Sequence, residues 1–133
     1  MPFLIDTDIA IHLRDQSEPV VRRVSELPGS PLLSIVSQVE LENGVYRHPQ
    51  LAGIRRPAVD LMLKSFILLP FDDQAVQSYR RIVELAGYSR RKIADRMVAA
   101  TAMAHGLTLI TMNGRDFGDI PGLSLELWPS PAL

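Results

Sequence analysis

Residues 93–111 read IADRMVAATAMAHGLTLIT, and this stretch decides the fold. From Ile93 to His105 the pattern is helical. Val98, Ala99 and Ala102 follow Asp95 at i+3, i+4 and i+7, the spacing of one helix face. That face is made of small residues, so it can pack close to a sheet. Gly106 stops the helix. Leu107 to Thr111 is then a short apolar run of strand type. A helix that feeds a buried strand is the second half of a βαβ unit.

The same alternation extends in both directions. Phe3-Leu4-Ile5 is an apolar strand that ends at Asp6. Residues 9–27 read as helix, broken near Gln16 to Pro19. Pro28-Gly29-Ser30-Pro31 is a turn, and Leu32 to Ile35 is a second strand. Ser37 to Arg47 is helical, ended by His48-Pro49. Residues 55–65 form another helix after Gly53. Ile67 to Phe71 is a strand, and Asp72 or Asp73 caps a helix that runs to Ala86, with Gly87 in the C′ position. Asn113-Gly114 is a turn, and Leu123 to Leu127 is a last strand before a Pro-rich tail. Short strands alternating with helices predict an α/β fold with a mainly parallel central sheet, covered on both faces. In such sheets the site lies beyond the carboxyl ends of the strands.

Composition bounds the rest. A chain of 133 residues with 47% hydrophobic and 22% charged residues is expected to be one globular domain over 1–133. It has no cysteine, which excludes disulfide scaffolds, thiolate metal sites and cysteine nucleophiles. The apolar runs are too short to span a bilayer, and the N-terminus lacks the pattern of a signal peptide. A soluble, cytoplasmic protein without a membrane partner is expected. The formal net charge is −1, so there is no global basic field for nucleic acid. Twelve of the 14 basic residues are arginines, several in pairs, and the two lysines are Lys64 and Lys92. Arginine's planar fork suits local contacts with phosphate.

Four acids stand at the ends of elements. Asp6 closes the first strand, where an ionised group needs partners or a cation. Asp8 is better placed than Asp6 to cap the following helix. Ser37-Gln38-Val39-Glu40 reads as a capping box, with Ser37 at the N-cap and Glu40 reaching back to its N–H. Asp95 lies in the first turn of its helix and gains from the dipole, yet it tops the apolar stripe; Arg96 and His105 point to water on the other flank. Asp116 follows the strand 107–111, in a loop where Asn113 also offers an oxygen. Clustered carboxylates would raise one another's pKa, and a divalent cation relieves that. Hard oxygen donors without paired histidines point to Mg²⁺ or Mn²⁺ and not to Zn²⁺. His12, His48 and His105 are scattered and read as surface or cap residues.

The ordered set resembles a known family. It comprises Phe-Leu-Ile-Asp6-Thr7-Asp8; Ser34-x-x-Ser37-x-x-Glu40-Leu-x-x-Gly44; Ile93-Ala-Asp95-Arg-Met-Val-Ala-Ala-Thr-Ala; Leu-Ile-Thr111-Met-Asn113-Gly-Arg-Asp116-Phe117; and Ile120-Pro-Gly-Leu before Trp128. This order and spacing are similar to those of PIN-domain proteins of the VapC type, toxins of toxin–antitoxin pairs. The resemblance implies a three-layer α/β/α sandwich and a Mg²⁺- or Mn²⁺-dependent endoribonuclease. Asp6, Glu40 and Asp95 match the family's three core acids, and Asp116 matches a fourth. Asp8 stands where the family more often has Asn. The resemblance also implies an RNA substrate, a cognate VapB-like antitoxin and a homodimer. Thr7, Asn113, Arg14 and Arg96 are expected to meet substrate, and Arg90, Arg91 and Lys92 are further candidates at the rim.

Two rival readings remain at this level. Apolar-Asp6-Thr-Asp8 also resembles the first motif of haloacid-dehalogenase-type phosphatases, with Asp6 as nucleophile, but Ala10 departs from that motif and neither lysine stands in a matching context. The other rival is a PIN-like module that binds RNA or a partner without cutting.

Overall fold

The computed structural model describes residues 2–131. Five strands form one sheet: β1 (Phe3–Ile5), β2 (Leu32–Ser34), β3 (Ile67–Leu69), β4 (Thr108–Thr111) and β5 (Leu125–Leu127). Every pairing is parallel, in the order β3-β2-β1-β4-β5. The helices are α1 (Thr7–Arg14), α2 (Glu18–Ser25), α3 (Ile35–Arg47), α4 (Ala52–Lys64), α5 (Asp73–Ala86) and α6 (Ile93–Ala104).

Strand periodicity builds the layers. Leu4 pairs with Leu109, and both point to the face covered by Ile82 of α5 and Val98, Ala99 and Ala102 of α6. Ile5 pairs with Leu33 and Ile110, and these point to the other face, against Ile9 of α1, Leu41 and Val45 of α3 and Val59 of α4. The result is the expected three-layer α/β/α sandwich. The small stripe of α6 is fully buried. Burying a side chain the size of Val98 contributes about 1.5–3 kcal/mol by leaving water, and each alanine methyl less.

Order 3-2-1-4-5 reverses at β1. The chain moves outward from β1 through β2 to β3, then returns to β4 on the other side of β1. The crevice between β1 and β4 is the place where such sheets hold ligands. The starts of α1, α3 and α6 lie at this same carboxyl edge, since each helix runs antiparallel to its strands.

The predicted break in residues 9–27 is present: Gln16, at φ 57, separates α1 from α2. Gly87 ends α5 at φ 85, and Asp72 caps its start by accepting from the Ala75 N–H at 3.0 Å. The start of α3 differs from the sequence reading. Ser34, not Ser37, is its N-cap, with a side chain that accepts from the Val36 N–H at 3.0 Å. Ile35 and Val36 look like strand residues, but the helix takes them because Val36 packs into the core between sheet, α5 and α6. Ser37 and Glu40 form no capping box, so Glu40 is released from that role. On α4, Leu61 is 68% exposed, while its neighbour Met62 is buried.

Candidate active site

Asp6 is the N-cap of α1. Its Oδ1 accepts from the Thr7 N–H at 2.8 Å, and its Oδ2 accepts from the Thr111 hydroxyl at 2.8 Å, 105 residues away. Its own N–H donates to the Ile110 carbonyl at 2.9 Å, which fixes it to the end of β4. Asp6 is only 5% exposed. Burial pushes its carboxyl up to about 7, and the neighbouring Asp8 adds to the rise; the donors Thr111 and Thr7 pull the other way.

Asp8 is not the cap the sequence suggested. It lies inside the first turn of α1, where Oδ1 accepts from the Ile9 N–H at 2.7 Å. Its Oδ2 accepts from the Met112 N–H at 2.9 Å and sits 3.2 Å from the Thr111 hydroxyl. Thr111 has one proton for two acids, and its shorter contact is the one to Asp6. Burial raises the Asp8 carboxyl too, against the pull of the Met112 and Ile9 N–H groups.

Glu40 reaches the site from the second turn of α3. Its Oε1 accepts from the Thr7 hydroxyl at 2.5 Å. Thr7 Oγ1 also lies 2.8 Å from Ser37 Oγ. A carboxylate only accepts, so the Thr7 proton goes to Glu40 and Ser37 supplies its own proton to Thr7. The chain Ser37–Thr7–Glu40 joins α3 to α1 and leaves Glu40 Oε2 free of hydrogen bonds among the described residues.

Asp95, in the first turn of α6, has no hydrogen-bond donor among the described residues. Burial first, and then the nearby Asp116, Glu40 and Asp8, together raise its carboxyl to about 6, while Arg91 opposes them. Asp116, in the one-turn segment Gly114–Asp116, accepts the Asn113 amide on Oδ2 and faces Arg91 Nη1 at 3.3 Å on Oδ1. All four predicted acids therefore converge, and Asp8 joins them. Among the described residues, Arg91 is the one basic side chain that forms an ion pair with any of the five.

The predicted substrate contacts divide. Thr7 and Asn113 are in the cluster, as positioning groups for Glu40 and Asp116. Arg14 and Arg96 are not at a rim. Arg14 stands at the far end of α1, 7% exposed, where Nε donates to Asp15 at 2.8 Å. Its Nη1 comes within 3.0 Å of where a Cβ on Gly44 would stand, so it packs across α3. Arg96 is 2% exposed; Nη1 donates to the Gly87 carbonyl and Nη2 to Asp119 at 3.2 Å. The side of α6 assigned to water is closed by α5 and the loop after β4. His105, in contrast, is exposed as expected. The sequence reading passed over Thr111 and undervalued Asp8. Their signals were a polar residue closing an apolar strand and a second acid two residues after the first.

The carboxylates fit a hard divalent cation by their chemistry: all donors are oxygens, two acids are held near neutrality by burial and mutual repulsion, and Asp95 lacks a donor. As the side chains stand, no three acidic or histidine groups among the described residues close into a ligand shell.

Residues 3–123 match the family model described as PIN domain. The chain belongs to the PIN domain family. This PIN domain is 34% identical over 129 residues to Ribonuclease VapC1 of Rickettsia felis, an alignment that covers 94% of this chain and 95% of that protein. It is 28% identical to the tRNA(fMet)-specific endonuclease VapC of Shigella flexneri, over 96% of this chain and 98% of the other. Among solved structures, the PIN domain is similar to DNA-bound VapBC from Salmonella typhimurium, with a TM-score of 0.83 at 25% identity, covering 96% of this chain and 98% of that one. It also matches VapBC2 from Rickettsia felis bound to a promoter DNA fragment, with a TM-score of 0.83 at 22% identity, covering 96% and 99%. The phosphatase reading falls with this assignment; Lys92 is tied to Asp119 and cannot attend Asp6. No helix among the described residues is long and apolar enough to cross a membrane.

Proposed function

We propose that this PIN domain is a Mg²⁺- or Mn²⁺-dependent endoribonuclease and the toxin of a toxin–antitoxin pair. One observation carries the reading. Asp6, Glu40, Asp95 and Asp116 come from four separate elements and meet at the carboxyl edge of the sheet, in a chain whose relatives are named as ribonucleases. A fold has no stability reason to gather these charges, because their repulsion opposes folding.

Asp6, Asp95, Glu40 and Asp116 would hold the ion. The chemistry supplied by a bound ion is Lewis-acid activation of phosphate and water. The protein's own groups do the rest. Thr7 fixes one oxygen of Glu40, so the other is aimed and available to take a proton from an attacking water. Asn113 holds Asp116 in place.

The partners proposed are RNA as substrate, a VapB-like antitoxin as inhibitor, and a second copy in a homodimer. Two observations support protein partners. Structural neighbours are VapBC complexes, and α4 presents Ile54 and Leu61, 71% and 68% exposed, beside an apolar groove lined by Leu13, Val21, Val24 and Phe66.

The test compares the parent with Glu40→Gln on RNA, with Mg²⁺, Mn²⁺ or EDTA. Glutamine keeps an oxygen for the Thr7 hydroxyl, so stability should stay within about 1 kcal/mol of the parent. Cleavage should need a divalent ion and fall roughly 10²-fold or more in the variant. If the parent neither cuts RNA nor binds Mn²⁺ in a titration, the reading is wrong.

A further inference from the structure

The basic residues around the start of α6 have different fates. Lys92 Nζ and Arg96 Nη2 both hold Asp119, each at 3.2 Å. Both side chains are largely buried, at 16% and 2% exposed. They buckle the loop after β4 to α6 and have no reach toward a ligand. Arg91 is different. Its side chain is 73% exposed, and Nη1 extends to Asp116, whose own side chain is 16% exposed. Its charge is also felt at Asp95. The guanidinium therefore hangs over the mouth of the acid cluster from the solvent side.

The bond that holds it there is weak. A single N–H···O contact at 3.3 Å, made by a guanidinium that stands mostly in water, contributes little. Asp116 does not depend on it, because the Asn113 amide satisfies its other oxygen. Among the described residues, four of its five guanidinium N–H donors make no hydrogen bond. A group with this much spare capacity, at the entrance of a negatively charged site, is arranged to receive an anion.

We propose that Arg91 is a substrate-binding residue that exchanges Asp116 for a phosphate oxygen of the RNA strand entering the acid cluster. This assignment rests on the ribonuclease reading above. The electrostatics favour such a group. Five carboxylates repel a polyanion, and a fixed positive charge at the mouth lowers that barrier before the strand is seated. Arginine suits the exchange because its planar fork grips a phosphate with two parallel bonds, which a lysine cannot reproduce. The swap conserves charge: Asp116 loses a guanidinium as the phosphate gains one, which leaves the acid free to face inward.

The test measures binding as well as turnover. Glu40→Gln serves as a slow-cutting background, and the probe is a fluorescein-labelled single-stranded RNA followed by anisotropy in Mg²⁺ across a salt series. Adding Arg91→Ala should weaken binding roughly 10- to 100-fold, the loss of one charged phosphate contact. It should also flatten the plot of log affinity against log salt by about 0.7, one phosphate on a single strand. Arg91→Lys should keep the slope and recover only part of the affinity. Arg81→Ala, an exposed site on α5, should change neither. In the Glu40 parent, Arg91→Ala should lower kcat/KM by a similar factor while Mn²⁺ binding persists. If the parent cuts RNA but Arg91→Ala binds it with unchanged affinity and slope, Arg91 is only a surface partner of Asp116 and the assignment fails alone. An equal loss in Arg81→Ala also overturns it, because net charge is then the cause. A parent that neither cuts nor binds RNA overturns the ribonuclease reading and the assignment together.

Discussion

Asp6 and Asp95 hold their protons more tightly in the folded chain than in the unfolded one, and that has a consequence for stability. Asp6 moves from 3.8 to about 7, and burial is the main cause. Between those values the native state binds the proton that the unfolded state has released. Stability therefore declines as pH rises through this window and levels off above it, since the slope follows the protons bound by the unfolded state minus those bound by the native state. Asp95 adds to the same trend between 3.8 and about 6. In metal-free buffer the parent should be more stable by urea denaturation at about pH 5 than at about pH 8. Asp6→Asn should be more stable than the parent at the higher pH and flatter across the range, because Asn also serves as an N-cap. A parent whose stability rises over this interval would show that Asp6 is ionised at little cost.

At the scale of elements, α3 carries the instructive misreading. Ser34 and Ser37 stand three residues apart near the start of the helical pattern. Local sequence favours Ser37 because Glu40 completes a capping box. The helix starts at Ile35 instead, and Ser37 becomes a buried link to Thr7. Two measurements follow. Ser34→Ala should cost about 1 kcal/mol in urea unfolding, the usual loss for an N-cap. A double-mutant cycle of Ser37→Ala with Thr7→Val should show coupling of roughly 0.5–1.5 kcal/mol, as expected of a buried hydrogen bond between helices. Additive effects would mean that Ser37 acts on α3 alone. The same scale explains the arginines. Helical phase shows which residues lie together, but α6 is covered on two sides, by sheet and by α5, so the flank that bears Arg96 is interior as well.

For the whole molecule, stability rests on two cores separated by the sheet. Leu109 and Ile110 are successive residues of β4 and are both fully buried, one in each core. Leu109→Ala and Ile110→Ala should each cost about 2–5 kcal/mol in chemical denaturation. A substitution that costs much less than this would show that its layer closes over the cavity. The site depends on both layers, since α1 and α3 come from one and α6 from the other. Loss of either core should therefore disperse the acids as well as destabilise the fold.

The sequence by itself determined the strand and helix alternation, the parallel α/β class, the breaks at Gln16 and Gly87, and the acids Asp6, Asp95 and Asp116 as residues at element ends. These are local properties: periodicity, helix stops and the end of an apolar run act over a few residues. Only the tertiary structure decided which polar groups meet. β1 lies between β2 and β4, so Asp6 touches Thr111, Asp8 touches Met112 and Thr7 touches Glu40, across separations of 33 to 105 residues. Burial at that junction then sets the charge state of the acids, and the closure of α5 on α6 buries Arg96 while Arg91 stays in water. Burial and long-range pairing depend on the packed order of all the elements, which no short stretch of chain encodes.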